Sequence, residues 1–231
     1  MKKGYILLAI LVMTIAALPA SAQQLRLGIE AGATINKSTW ELPDGYKKKS
    51  VGGYVIGLTA EYEIYDNVWF QSGFLFNTKG AESMILKQPT PGHENYLRDI
   101  RKTYRPMYLQ IPLTIAYRFK VGERFGIFAA AGGYVSQGLT GEYSEKLIYD
   151  RATTPGTWND ESKSESAFSK GGLKRFDAGL TLGGGIEFGR LTLRVSHDWG
   201  MLNIAKDKDI LGTDNFKNRS LSIAAGFKFK F

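Results

Sequence analysis

Two histidines and no cysteine in 231 residues leave little from which to build a catalytic or metal centre. Proton transfer near neutral pH and zinc ligation draw mainly on these two residue types. His93 lies in the polar segment 89–95 and reads as a solvated loop residue. His197 is flanked by Ser196 and Asp198, the three side chains a serine esterase combines. In an extended strand neighbouring side chains point to opposite sides, so Ser196 and Asp198 share one face and His197 takes the other. The reading carried forward is an interfacial histidine beside Trp199, with no catalytic residue, no cofactor and no metal site. Gly183-Gly184-Gly185 could suggest a phosphate-cradling loop, but no helix pattern and no Lys-Ser/Thr pair follows. Glycines inside an alternating run instead relieve crowding or permit a bend.

The elements that position these groups are strands. After residue 24, apolar residues recur at every second position through eight runs, at 25–35, 52–64, 68–79, 104–119, 125–138, 173–188, 191–202 and 219–231. The fourth run is the clearest. It sets Met107, Leu109, Ile111, Leu113, Ile115, Tyr117 and Phe119 against Tyr108, Gln110, Thr114 and Arg118. The fifth has Phe128 and Tyr134 on one face and Ile127 and Val135 on the other, and its facing stays open. In the other seven runs no Asp, Glu, Lys or Arg falls on the apolar face between its first and last apolar residue.

Connections between the runs alternate in length. Tyr65-Asp66-Asn67, Lys120 to Arg124 and Gly189-Arg190 are tight turns, whereas 36–51, 80–103, 139–172 and 203–218 are long and polar. An even number of strands with short turns on one rim and long loops on the other predicts an all-β fold, an eight-stranded antiparallel up-and-down transmembrane β-barrel. Closure is needed because an unpaired backbone group in hydrocarbon costs several kcal/mol.

A soluble barrel would show the same alternation with its apolar face turned inward. Three features favour the membrane. The polar face is rich in Gly, Ser and Thr and carries Arg26, Glu30, Glu61, Glu63, Arg118, Arg175, Asp177, Glu187, Arg194 and Asp198, whose mixed signs suit a structural network neutralising itself in a narrow lumen. Aromatic residues such as Tyr54, Phe70, Phe119, Phe176, Phe188 and Trp199 fall near strand ends, as interfacial girdles do. Finally Phe227, Phe229 and Phe231 alternate outward at the end of the last run, an arrangement expected to act as an assembly signal for barrel-assembly machinery.

Lys2 and Lys3 precede an apolar run from Tyr5 to Leu18 that ends in Ala20-Ser21-Ala22. This predicts a cleaved secretory signal peptide over 1–22 and one barrel domain over 23–231. Without cysteine, neither lipid acylation nor a disulfide is available. The formal net charge of +8 would suit nucleic acid, but the long connections hold 15 basic and 14 acidic residues. The surplus sits in strands, alternating with apolar residues, so no nucleic-acid surface is expected. Lys47-Lys48-Lys49 are placed to meet phosphates of outer-membrane lipid or lipopolysaccharide, or simply to be solvated.

The opening Leu27-Gly28-Ile29-Glu30-Ala31-Gly32, the element Tyr108-Leu109-Gln110-Ile111-Pro112-Leu113, the Gly-rich stretch Ala129 to Tyr134 and the terminal run together resemble the PorT-like outer-membrane β-barrel family of Bacteroidetes, small barrels of OmpX/OmpA-like form. The resemblance implies an integral protein of the bacterial outer membrane and carries no catalytic residue with it. It also implies, for the namesake branch, an accessory role in a type IX-like secretion or surface-assembly machine. The residues themselves favour a non-enzymatic scaffold in the cell envelope, whose loops 80–103 and 139–172 meet envelope protein partners. A small porin-like pore and a lipid-modifying enzyme remain as alternatives.

Overall fold

The computed structural model describes residues 25–39, 46–86, 95–151, 161–169, 172–206 and 215–230. The expected signal peptide, His93 and Phe231 lie outside these. Among the described residues eleven strands form one antiparallel sheet: β1 (Leu25–Ser38), β2 (Tyr46–Lys49), β3 (Val51–Tyr65), β4 (Val68–Thr78), β5 (Ala81–Leu86), β6 (Asn95–Lys120), β7 (Phe125–Arg151), β8 (Glu161–Ser166), β9 (Phe176–Phe188), β10 (Leu191–Gly200) and β11 (Asn218–Lys230). Eight of them close a ring, in the order β1-β3-β4-β6-β7-β9-β10-β11 and back to β1. The closing seam runs from Arg26↔Lys230 to Ser38↔Asn218, so β1 and β11 leave no edge along the span.

Two of the tight connections are two-residue hairpins. Asp66-Asn67 joins β3 to β4 with Asn67 at φ 63°, and Gly189-Arg190 joins β9 to β10 with Gly189 at φ 62°. Both residues belong to the types that adopt positive φ most readily. The Glu63 carboxylate accepts a hydrogen bond from the Asn67 amide at 3.2 Å and helps fix the first turn.

The alternation resolves into an inverted barrel. Leu58 is 59 % exposed and Phe119 55 %, while Glu61 is 2 % exposed and Arg118 5 %. Apolar side chains facing out around a charged interior make sense only where the surrounding medium is hydrocarbon. The facing of the fifth run is now fixed. Phe128, Ala130, Tyr134 and Ser136 point inward and are buried, and Phe125, Ile127 and Val135 point to lipid. Phe128 fits because glycine lies opposite: a Cβ on Gly185 would stand 2.9 Å from the Phe128 ring.

The structure departs from the sequence reading in the long connections. β6 has 26 residues and β7 has 27, so each is about 85 Å long at the usual rise. A membrane crossing needs only about 9–11 residues. The two continue paired beyond the bilayer, from Pro106↔Gly141 to Asn95↔Arg151. β5 and then β2 join on the β6 side, and β8 joins on the β7 side. Much of 80–103 and 139–172, read as loop, is therefore a five-stranded extension. Conversely, the sixth run begins its ladder only at Phe176, and Leu173 makes a single bridge to Ala205.

Candidate functional site: a filled lumen under an apolar cap

Three layers fill the interior. Nearest the short turns, β6 presents Arg118, β3 Glu61, β11 Lys228, β9 Glu187, β10 Arg194 and β1 Arg26 and Glu30. Arg118 is in close contact with Glu61 and lies 3.2 Å from Glu187. Lys228 bridges the same two carboxylates, 2.9 Å from Glu61 and in close contact with Glu187. Arg194 reaches Glu30 at 3.5 Å and Glu61 at 3.7 Å. Gln71 donates to Glu61 at 2.9 Å and accepts from Arg194 at 3.1 Å. Trp69 packs against two guanidiniums, Arg26 at 4.0 Å and Arg118 at 4.1 Å, which supplies cation–π attraction where water is scarce.

The second layer lies toward the long connections. Lys79, 1 % exposed, stands 3.5 Å from Asp177 and 3.8 Å from Asp198, with its ammonium 3.8 Å from the centre of the Tyr134 ring. Tyr134 and Asn218 donate to Asp177 at 3.2 and 2.9 Å, and Gln110 donates to Asp198 at 2.9 Å. Across both layers five cations (Arg26, Lys79, Arg118, Arg194, Lys228) face five carboxylates (Glu30, Glu61, Asp177, Glu187, Asp198). Such balance is required, because a buried charge without a partner is strongly destabilising. An interior cavity between the layers, lined by Glu30, Gln71, Gln110, Arg194 and Asp198 among others, has a volume of about 50 Å³. That is room for only a few waters.

Above the second layer the mouth is closed by an apolar cap. Ala167, Phe168 and Leu173 come from the segment after β8, Ile204 and Ala205 from the segment after β10, and Phe216 from the approach to β11. They pack on Ala81, Tyr104 and Tyr108 of the wall. Main-chain bonds tie the pieces together, from Leu173 N to Ala167 O at 2.8 Å, Lys174 N to Ile204 O at 2.7 Å and Ile204 N to Phe216 O at 2.9 Å. Burying Phe168, Leu173, Ile204 and Phe216 stabilises the closed form by about 1.5–3 kcal/mol each. Tyr104 and Tyr143 stack at 4.6 Å on the outer flank of the cap. Burial pushes both phenols above their ordinary range, so they remain neutral hydrogen-bonding groups.

Most of the charged residues expected in the lumen converge there: Glu30, Glu61, Arg118, Asp177, Glu187, Arg194 and Asp198. Two do not. Arg175 is corrected to the rim, exposed, donating to the Gly138 and Leu139 carbonyls at 3.0 and 2.8 Å and resting 4.8 Å from the Phe168 ring. It precedes the ladder of β9, so strand parity does not govern it. Glu63 sits at the opposite rim, bonded to its turn. Lys79 and Lys228 were missed as network members, although Lys79 shares its parity with Gln71 and Asn77 and Lys228 its parity with Ser222. Ser196 lines the interior cavity and Asp198 is engaged by Lys79 and Gln110. The His197 ring packs on Trp199 at 4.3 Å on the outer face, so the three form no triad. Phe227 and Phe229 lie edge to face at 5.2 Å on the outer surface of β11.

A closed ring of strands with an apolar exterior and a charged, capped interior defines a transmembrane β-barrel. The chain belongs to the outer membrane protein beta-barrel domain family, whose model matches residues 21–206, and it is an integral protein of the bacterial outer membrane. Among solved structures it is similar to OprG of Pseudomonas aeruginosa, with 13 % identity over 90 % of this chain and 97 % of that one and a TM-score of 0.43. It is similar also to Neisserial surface protein A, with 13 % identity over 89 % and 97 % and a TM-score of 0.40. Ail, the attachment invasion locus protein of Yersinia pestis, gives 15 % identity over 89 % and 99 % and a TM-score of 0.36. No curated protein matches the chain.

Proposed function

We propose that this barrel is a sealed, non-enzymatic scaffold that works outside the bilayer, presenting the β2-β5-β6-β7-β8 extension to partners in the envelope or beyond it. The observation that carries this reading is the combination of a filled lumen with strands far longer than a crossing requires. Transport would call for an open path, and among the described residues the charge layers and the cap occupy the lumen. Catalysis would call for converging reactive groups, and the buried carboxylates are each committed to cations. The extension, by contrast, has no role in crossing the bilayer.

The test is removal of the β6–β7 tip, residues 96–105 with 142–150, joined by a short turn. The shortened protein should fold as the same heat-resistant barrel and lose the envelope proteins that cross-link to the full-length form in intact cells. Unchanged cross-links would overturn the reading. The Tyr108–Leu113 element and its likeness to PorT-like barrels support a second reading, an accessory subunit of a type IX-like secretion or surface-assembly machine. Co-purification of secretion components from native membranes is the result expected there, and their absence would remove it.

A further inference from the structure

The balance of cations and carboxylates holds across the two charge layers together and not within each. The layer near the short turns sets Arg26, Arg118, Arg194 and Lys228 against Glu30, Glu61 and Glu187, a surplus of one cation. The other layer, with Lys79 beside Asp177 and Asp198, is short by one. A surplus charge in a bore where water is scarce is unfavourable unless a counter-charge reaches it.

The surplus can be located. Arg194 and Lys228 each engage two carboxylates. Arg26 reaches only Glu187 among the described residues, at 3.8 Å, and that carboxylate already serves Arg118 and Lys228. The Nη1 of Arg118, whose side chain is 5 % exposed, has no hydrogen-bond partner among the described residues. Both guanidiniums lie against the Trp69 ring, at 4.0 and 4.1 Å from its centre, so they stand no more than about 8 Å apart and repel where bulk water does not screen them.

Arg26 and Arg118 line one pocket of about 110 Å³ at the short-turn rim, together with Trp69, Glu187 and residues of the β6–β7 turn. That turn adds two exposed cations, Lys120 and Arg124, and one exposed carboxylate, Glu123. Glu63, at the same rim, lies outside the lining and accepts from the Asn67 amide. Four cations therefore line the pocket against two carboxylates, one of them already shared.

We propose that this pocket binds the carboxylate of a peptide entering from the periplasm. Arg26, the more exposed of the two guanidiniums, holds it from the open side. Arg118 supplies the donor behind it, and Lys120 and Arg124 draw it in. Charge and position fix the occupant. One carboxylate cancels a surplus of one cation, whereas a phosphate dianion overshoots it. The short turns of such barrels face the periplasm. Arg26, Trp69, Arg118 and Glu187 all stand inside the ring of strands, and lipid headgroups lie outside it.

The test uses the full-length barrel in an uncharged detergent at low salt, titrated by calorimetry with two peptides. N-acetyl-D-Ala-D-Ala ends as a cell-wall stem peptide does, and N-acetyl-L-Ala-L-Ala ends as a protein does. Their C-terminal amides and inorganic phosphate are the comparison arms. At least one free-acid peptide should bind, and the better of the two names the source. Its amide should bind about tenfold more weakly or worse, because a charge-assisted hydrogen bond is lost. Arg26→Gln should lower affinity by about tenfold. It should still fold as a heat-modifiable barrel, since it removes the surplus cation and leaves three cations with three carboxylates. Bound peptide should raise the unfolding temperature of the unmodified protein and not that of Arg26→Gln. If Arg26→Gln fails to fold, Lys120→Gln/Arg124→Gln on the exposed turn should weaken binding roughly threefold. Lys47→Gln/Lys146→Gln, the same change of charge at the opposite end, should bind normally. No binding up to roughly 10 mM peptide, equal binding of the amides, tighter binding of phosphate, or undiminished binding by the Arg26 and turn variants would overturn the proposal. The sealed-lumen reading is tested by other measurements and survives either result.

Discussion

Glu61 accepts contacts from Arg118, Lys228, Arg194 and Gln71 at once, which makes it the residue on which the inner charge layer most depends. Glu61→Gln leaves the four cations of that layer facing two carboxylates and should destabilise the barrel by about 3–5 kcal/mol in urea titrations of detergent-refolded protein. Arg175→Ala removes exposed rim contacts, to two backbone carbonyls and the Phe168 ring, and should cost less than Glu61→Gln, about 1 kcal/mol. Lys79 offers a sharper check on the second layer. Lys79→Met strands Asp177 and Asp198 and should be as damaging as Glu61→Gln, whereas Lys79→Met/Asp177→Asn should recover part of the loss. A strictly additive double variant would show that the pair does not interact. Strand parity made most of these residues legible in advance, because the membrane enforces it without exception along each crossing. It misplaced Arg175, where the chain has not yet entered the ladder, and overlooked Lys79, whose partners come from β9 and β10 and share no local pattern with it.

The ring strands were readable because hydrocarbon on one face and a packed lumen on the other impose a period of two. Above the bilayer both faces of β6 and β7 meet polar surroundings, so Arg101-Lys102-Thr103 and Ser144-Glu145-Lys146 show no alternation and read as loop. The short strands Tyr46–Lys49 and Glu161–Ser166 have weak strand propensity and exist through pairing with β5 and β7. The cap was illegible for another reason. Its apolar residues are scattered over two separate connections, β8 to β9 and β10 to β11, and only the fold brings them together. A Cβ at Gly138 would fall 2.3 Å from the tip of the Phe168 ring. Gly138→Ala should therefore displace Phe168, expose 167–173 to protease and lower the unfolding temperature, and adding Phe168→Ala should relieve the clash while leaving the cap thinner. Unaltered protease resistance in Gly138→Ala would show that Phe168 does not seat there.

On the reading proposed above, the molecule is sealed twice, by paired charges along the span and by an apolar cap at the loop-side mouth. The two seals are independent in kind, since salt and pH act on one and hydrophobic burial holds the other. Thinning the cap with Phe168→Ala/Phe216→Ala should consequently not open the barrel, because the Lys79 and Glu61 layers still fill the bore. An eight-stranded ring is in any case just wide enough for its own side chains. Single-channel recording in planar bilayers tests the sealed barrel most directly. The unmodified protein and the cap double variant should both show no discrete conductance steps, and stable open-channel events in the unmodified protein would contradict the account.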